Sequence, residues 1–493
     1  MSPHRKQNVP PSPPPAGARR GLKVCHVVAT AEGARWVAEQ LRELRDRHGC
    51  EVSAVVGGER GSLVELLRAE GIPYRVEEFV FTTPGGMLRA ARATYRLARL
   101  FRRERVDVVQ SHLFFSMIIA RLAAWLADVP VRLSMYAAPF QLEAETSLWI
   151  DRATCRMESA LIPSCELSVD LCRGMGVSDG RLALIYYGPD ERRFDPRDIE
   201  PAGIRASFGW PPDTPLVVNV AYFYPRMTKS RWIPRVLHGR GIKGHGDIVR
   251  AAPRVLAEYP DAKFLLIGSG WGEAGEQYKR EVEGLVRELG LEGSVLFPGY
   301  RADANRILRE ADVALQASLN DNPAGTIEAL LMECPTVVTR AGGLVDTVRE
   351  GETGLQANPS DPPDLARRIV EMLRDRERAR ALGRSGRRLM LERFTLARTA
   401  EDLYNLYSRL LGAQGRGFYS PPRTLARALV AAPLVAYMAL RLLLVEFGLH
   451  VYLPALVRRV GHIPHGVYRR VRRLTSGGRA SRKSATAARR ESP

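Results

Sequence analysis

Short apolar runs alternate along this chain with longer stretches in which apolar positions return every three or four residues. The run L-K-V-C-H-V-V at 22–28 predicts a buried strand, and residues 35–48 predict a helix with one apolar face. The alternation then repeats. Strands are expected at 51–56, 74–76, 106–110, 131–135, 160–163 and 182–186, with helices at 62–70, 86–104, 115–127, 142–157 and 166–175. Apolar strands separated by helices pair in parallel and are covered on both faces, so the pattern predicts an α/β, doubly wound parallel sheet. A second series opens with L-V-V-N-V-A at 216. Its strands fall at 264–267, 295–297, 313–317 and 336–339, and its helices at 247–258, 276–288 and 363–374, followed by helical runs over 377–411. Residues 191–214 are rich in proline and charge and have no period, which marks a linker. The two halves, 22–190 and 215–395, place a cleft between the carboxyl ends of two sheets, where ligands of such folds bind. A terminal helix at 396–412 is expected to pack near that cleft.

The stretch S-L-N-D-N-P-A-G-T-I-E-A-L-L-M-E-C-P-T-V-V at 318–338 lies between two of these strands. Asn322 is a good N-cap, and Pro323 suits the first helical position. Glu328 follows one turn in, on an otherwise apolar helix. Free N–H groups, the small Gly325 and Thr326, and an acid one turn on make a place for a phosphate and a hydroxyl-rich group. That pairing points to a nucleotide-sugar.

Charge changes the picture less than its total implies. The net charge is +19, and of 73 basic residues 66 are Arg and 7 Lys. Residues 1–22 carry +4 and residues 458–493 carry +10, leaving about +5 on the rest. Basic residues gathered in tails do not form the footprint of a nucleic-acid enzyme. Residues 1–21 are basic and Pro-rich without an apolar core, so a disordered leader is expected and no signal peptide. The six cysteines show no metal or redox spacing and read as buried thiols in a reducing compartment. Residues 413–457 are apolar, but charges and prolines limit the longest uncharged run, 428–440, to less than the ~20 residues that span a bilayer. A helix in the membrane interface, packing on the protein body and a true span all remain open, the first being favoured. The basic stretch 458–493 suits an anionic membrane surface or is an uncommitted tail. The expected location is cytoplasmic, with peripheral contact at the cytoplasmic membrane face as the open addition.

Common hydrolase, metalloprotease and P-loop signatures are absent, as is a D-x-D clamp for a metal-bound diphosphate. No metal or cofactor is therefore expected. A diphosphate would be met by Lys or Arg and helix N-termini. In R-G-I-K-G-H (240–245), Arg240 and Lys243 stand just before a helix. In I-G-S-G-W-G (267–272), Gly268 and Gly270 let backbone approach a ligand. F-P-G-Y-R (297–301) offers Tyr300 or Arg301 to a base. A-G-G-L-V-D (341–346) and G-E-T-G-L (351–355) read as turns.

The order of these motifs resembles retaining glycosyltransferases of the GT-B fold, glycosyltransferase family 4, over about residues 22–412. The resemblance implies two Rossmann-like domains facing across a cleft, an acceptor domain first and a donor-binding domain second, followed by the apolar and basic extension. It implies that Lys243 contacts the donor diphosphate, that Glu328 accepts from ribose hydroxyls, and that Asp321 stands where an acid holds the donor sugar. Gly33 would lie in a loop near the donor phosphates, and His112 would match a histidine close to the reacting sugar. Asn322, Gly325 and Thr326 belong to the helix start that receives the donor.

Three departures stand out. The first acid is Asp321, with six rather than seven residues between it and Glu328, so either Asn320 or Asp321 reaches the sugar. The family's G-R after the first strand of the second domain reads Ala221-Tyr222, so Arg240 or Arg226 is expected to replace its Arg. An insertion, 225–239, precedes Lys243 and is a candidate lid or acceptor-choosing element. The implied activity is transfer of a sugar from a UDP- or GDP-sugar to an acceptor hydroxyl with retention, on a glycan or lipid-linked acceptor of cell-surface polysaccharide or glycolipid. A non-catalytic nucleotide-binding scaffold and a sugar-nucleotide epimerase of the same fold are the alternatives.

Overall fold

The computed structural model describes residues 21–83, 85–414 and Arg427. The expectations for the leader, the apolar segment and the basic tail thus fall almost wholly outside the described residues. Six strands build the first sheet: β1 (Lys23–Val28), β2 (Glu51–Val56), β3 (Tyr74–Val76), β4 (Val108–His112), β5 (Val131–Tyr136) and β6 (Ala160–Pro163). Six more build the second: β7 (Leu216–Val220), β8 (Lys263–Ile267), β9 (Val295–Gly299), β10 (Val313–Gln316), β11 (Thr336–Thr339) and β12 (Leu355–Ala357). The spatial orders are β3-β2-β1-β4-β5-β6 and β12-β11-β10-β7-β8-β9, and neighbouring strands run parallel. Each order reverses direction once, between β1 and β4 and between β7 and β10. A crevice opens at such a switch point because the flanking helices depart to opposite faces.

Burial explains the strand chemistry. Val24, Val27, Val28, Val108 and Val131 are 0–1% exposed, covered on both sides by helices. The terminal helix Leu396–Gln414 returns to the first domain, where Leu403, Leu406 and Tyr407 enter the core beneath β1 and β4. Each fully buried Leu there contributes about 1.5–3 kcal/mol. The chain crosses between domains twice, and the crossings touch. The Gly188 N–H donates to Thr399 Oγ1 at 3.0 Å, and a β-carbon on Gly188 would lie 2.2 Å from the Thr395 carbonyl oxygen. Only glycine lets the two crossings lie that close.

Three expectations need correction. The segment 182–186 is not a strand; it runs extended beside β6 with a single bridge, Leu161 to Leu182. The helix expected over 142–157 is broken at Ala144, whose ψ of 133° is extended, giving Phe140–Glu143 and Glu145–Thr154. The break lets the Thr146 N–H donate to the Arg231 carbonyl of the insertion at 3.0 Å. The helix after β10 begins at Ala324, one residue late, with Pro323 as its flanking residue. Asn322 keeps a capping role all the same, because its Oδ1 accepts the Ala324 N–H at 3.0 Å.

Candidate active site in the interdomain cleft

The loops that leave the two switch points converge on one cavity of about 590 Å³. Thr30 to Trp36 after β1 and Leu113 after β4 form one wall, and Ala221–Tyr222 after β7 with Asp321–Asn322 after β10 form the other. Leu113 is held at φ 64°, ψ 138°, where β4 turns at once into the helix Phe114–Leu126. A non-glycine residue there stores about 1–3 kcal/mol, a reservoir that concentrates at functional sites.

Lys243 and Asp321 lie side by side in the second-domain wall. The Lys243 ammonium is ion-paired to Asp321 Oδ2 and lies 5.8 Å from the Tyr224 ring centre. Burial opposes its charge, yet the Asp321 carboxylate holds its pKa above the ordinary value. Asp321 Oδ2 also accepts from Ser318 Oγ at 2.8 Å, and Oδ1 accepts the Asn322 N–H at 2.9 Å. Its backbone is fixed too, since the Gly343 N–H donates to the Asp321 carbonyl at 3.0 Å. Of the two candidates to reach the sugar, Asp321 lines the cavity. Asn320 is 3% exposed and turns its amide to Glu143 of the first domain.

Glu328 lines the cavity on the helix Ala324–Leu331. Burial pushes its pKa up to about 7; Arg193 opposes the shift, Glu39 adds to it and Arg35 opposes it. This cluster spans the domains. Arg193 comes from the linker, and Arg35 and Glu39 come from the helix Arg35–His48. Arg193 Nη1 lies 3.3 Å from Glu39 Oε1, and Arg35 Nη1 lies 3.8 Å from the same oxygen.

The structure brings together Gly33, Lys243, Gly268 and Tyr300 with Asp321, Asn322, Gly325 and Glu328 around this cavity. Gly270 lines an adjoining cavity of about 730 Å³ that shares Gly33, Tyr222 and Trp271. Thr326 is fully buried and donates its hydroxyl to the Pro323 carbonyl at 2.7 Å. Arg226 and Arg240 do not line the cavity. The Arg226 guanidinium bonds Glu281 Oε2 at 2.8 and 3.0 Å and the Gly239 carbonyl at 2.7 Å, and Arg240 bonds Ser360. His112 is also behind the wall. It is 0% exposed, with Nδ1 3.2 Å from Tyr187 Oη and Nε2 3.3 Å from His26 Nδ1. Trp36 packs on it edgewise at 4.7 Å, and Trp36 and Tyr187 face the cavity in its place. Burial, reinforced by His26, keeps the His112 pKa well below the ordinary value, so it is neutral.

Sequence reasoning missed Trp36, Tyr187, Arg35, Glu39 and Arg193, which lack local motifs. Trp271 stood inside the I-G-S-G-W-G motif, where only the glycines drew attention. Among the described residues no group of three or more His, Cys, Asp or Glu is placed to hold a metal ion.

The insertion reaches the first domain. The Trp232 ring packs 5.9 Å from Phe114 and 6.3 Å from Phe115 of the first domain. His238 Nε2 lies 3.1 Å from the Ser230 and Ile233 carbonyls, and the Gly239 N–H donates to the Met227 carbonyl at 2.7 Å, closing the loop on itself.

Comparisons with known proteins agree with this architecture. Residues 32–188 match the family described as glycosyl transferase 4-like domain, and residues 234–375 match glycosyl transferases group 1. The chain is 26% identical over 328 residues, 64% of its length, to the putative glycosyltransferase EpsD of Bacillus subtilis, covering 80% of it. It is 23% identical to the 2-deoxystreptamine glucosyltransferase of Streptomyces kanamyceticus, covering 66% of this chain and 83% of that one. The fold resembles HepE of Anabaena, solved with UDP-glucose, with a TM-score of 0.63 and 20% identity over 79% of this chain and all of that one. The protein is a transferase acting on sugars. Its two domains have the GT-B fold, with both halves matched in order by glycosyl transferase families.

Proposed function

We propose that this protein transfers a sugar from a nucleoside diphosphate sugar to an acceptor hydroxyl, with retention at the anomeric carbon and without a metal. The observation that carries the reading is one cavity holding the Lys243–Asp321 pair, the start of the helix Ala324–Leu331 and Glu328. A ribose would bond Glu328, and a base would lie against Tyr300. The leaving diphosphate would be met by Lys243 and by the N–H groups at the helix start, donors already oriented where charge develops. Asp321, fixed through its backbone and both oxygens, would hold the donor sugar. The insertion, bound to the first domain through Trp232, would exclude water that otherwise hydrolyses the donor. UDP-sugars are the first donors to test, because the HepE structure was solved with UDP-glucose. The acceptor is assigned as a hydroxyl on a surface glycan or a lipid-linked sugar.

The test is a panel of UDP- and GDP-sugars with chelator present, reading nucleoside diphosphate release and the anomeric configuration of the product by NMR. Inverted product, or no release from any donor, overturns the reading. Among the described residues no helix is long and apolar enough to cross a membrane. We infer from composition alone that residues 413–493 contact a membrane surface. Loss of the full chain from the membrane fraction on deleting them is the expected result, and an unchanged distribution overturns it.

A further inference from the structure

Arg226 and Arg240 leave the cavity without the second cation that a diphosphate needs, and Lys243 does not fill that gap alone. Its ammonium is paired with Asp321, so the two contribute little net charge. Three arginines do line the cavity: Arg35, Arg193 and Arg301. Arg301 is committed to Asp303, with two bonds of 2.7 Å. Arg193 is hydrogen-bonded to Glu39 at 3.3 Å. Arg35 reaches Glu39 only at 3.8 Å, and its side chain is 51% exposed.

The placement of Arg35 is costly for the fold. It is the first residue of the helix Arg35–His48, whose first turn holds no acid and whose start has no side-chain cap. A cation at the positive end of a helix dipole is disfavoured, and an anion in the cleft reverses that. The preceding loop also brings this helix start close to the second domain: Gly33, at φ 69°, lies so near Trp271 that a β-carbon would sit 2.8 Å from the indole. Arg35 borders both the main cavity and the adjoining one that contains Gly270 and Trp271.

We propose that Arg35, carried by the first domain, is the diphosphate-binding cation that the second domain lacks, so that donor phosphates are clamped between Arg35 and Lys243 across the cleft. This rests on the nucleotide-sugar reading above. It also makes domain closure and diphosphate binding one event, since the two cations belong to different domains.

Calorimetric titration of the full chain with UDP, GDP, uridine and guanosine tests the assignment. In Arg35→Ala the affinity for the diphosphate that wild type prefers falls about tenfold or more, its nucleoside binds as in wild type, and Arg35→Lys recovers part of the loss. Arg226→Ala and Arg240→Ala stay within about twofold of wild type. The melting temperature of Arg35→Ala is unchanged or higher, which separates a lost contact from a damaged fold. Diphosphate affinity unchanged in Arg35→Ala, or an equal loss for the nucleoside, overturns the assignment while leaving the proposed function intact. Wild-type protein that binds neither diphosphate overturns both.

Discussion

Gly33 of the first domain and Trp271 of the second meet across the cleft so closely that a β-carbon on the glycine would lie 2.8 Å from the indole Cη2. With φ at 69°, Gly33 also adopts a conformation that costs an L-residue about 1–2 kcal/mol. Gly33→Ala is therefore expected to hold the domains apart and lower kcat/KM for the donor about 100-fold, since a displacement near 1 Å is enough for that. Adding Trp271→Leu removes the clash but not the strain, so it should recover part of the activity. Steady-state kinetics of the single and double variants check this.

Lys243 and Asp321 neutralise one another. Asp321→Asn frees the ammonium, so nucleoside diphosphate affinity should rise about tenfold while sugar transfer falls. Lys243→Ala should lower both. Binding and turnover moving in opposite directions in Asp321→Asn would separate its role on the sugar from its hold on the lysine.

Glu328, with a pKa near 7, sets a pH dependence. In the proposed site ribose hydroxyls would bond the carboxylate, so binding would expel a proton, and affinity should climb from pH 6 to 8 and then level off. Stability runs the other way. Below about 4.5 both folded and unfolded states hold the proton; between that value and 7 only the folded state does, so stability falls as pH rises through this window. Glu328→Gln should flatten both trends, raising the melting temperature at pH 8 more than at pH 5 while weakening diphosphate binding. Titration calorimetry and thermal melts at both pH values are the measurements.

Arg121 is 1% exposed and lies 2.9 Å from Asp151 and 3.1 Å from Glu158, both also buried. Arg121→Met leaves two acids buried without their cation. The expected loss is about 3–5 kcal/mol, lowering the melting temperature by about 10 °C.

Trp232 ties the insertion to Phe114 and Phe115. If the insertion covers the cleft as proposed, Trp232→Ala should loosen it and let water compete with the acceptor, so the ratio of donor hydrolysis to transfer rises about tenfold with little change in diphosphate affinity. Product analysis by chromatography reads that ratio.

The parallel sheets are legible because their strands are largely apolar, and the places of Lys243 and Glu328 beside the cavity because one stands just before a helix and the other one turn into a helix that follows a strand. The arginine assignments failed for a reason local sequence cannot supply. Arg226 is taken up by Glu281, 55 positions away, and Arg240 by Ser360. His112 does end a strand at the switch point, but Trp36 and Tyr187, from other elements, close over it. The strand expected at 182–186 has the right composition, yet it leaves β6 after a single bridge as the chain heads for the second domain.

The return of the helix Leu396–Gln414 to the first domain makes that domain discontinuous in the chain. Tyr407 donates to Gln110 Oε1 at 2.5 Å and lies 3.3 Å from His26 Nε2, while Leu403 and Leu406 fill the core beside it. During synthesis the second domain has its whole sequence in one piece as soon as it emerges. The first domain, although made earlier, must wait for residues near the end of the described chain before its interior is dry and its buried polar groups are paired. The first-domain half of the cleft is thus the last to be finished, and a chain stopped before residue 396 would keep a sound second domain beside an unfinished first one.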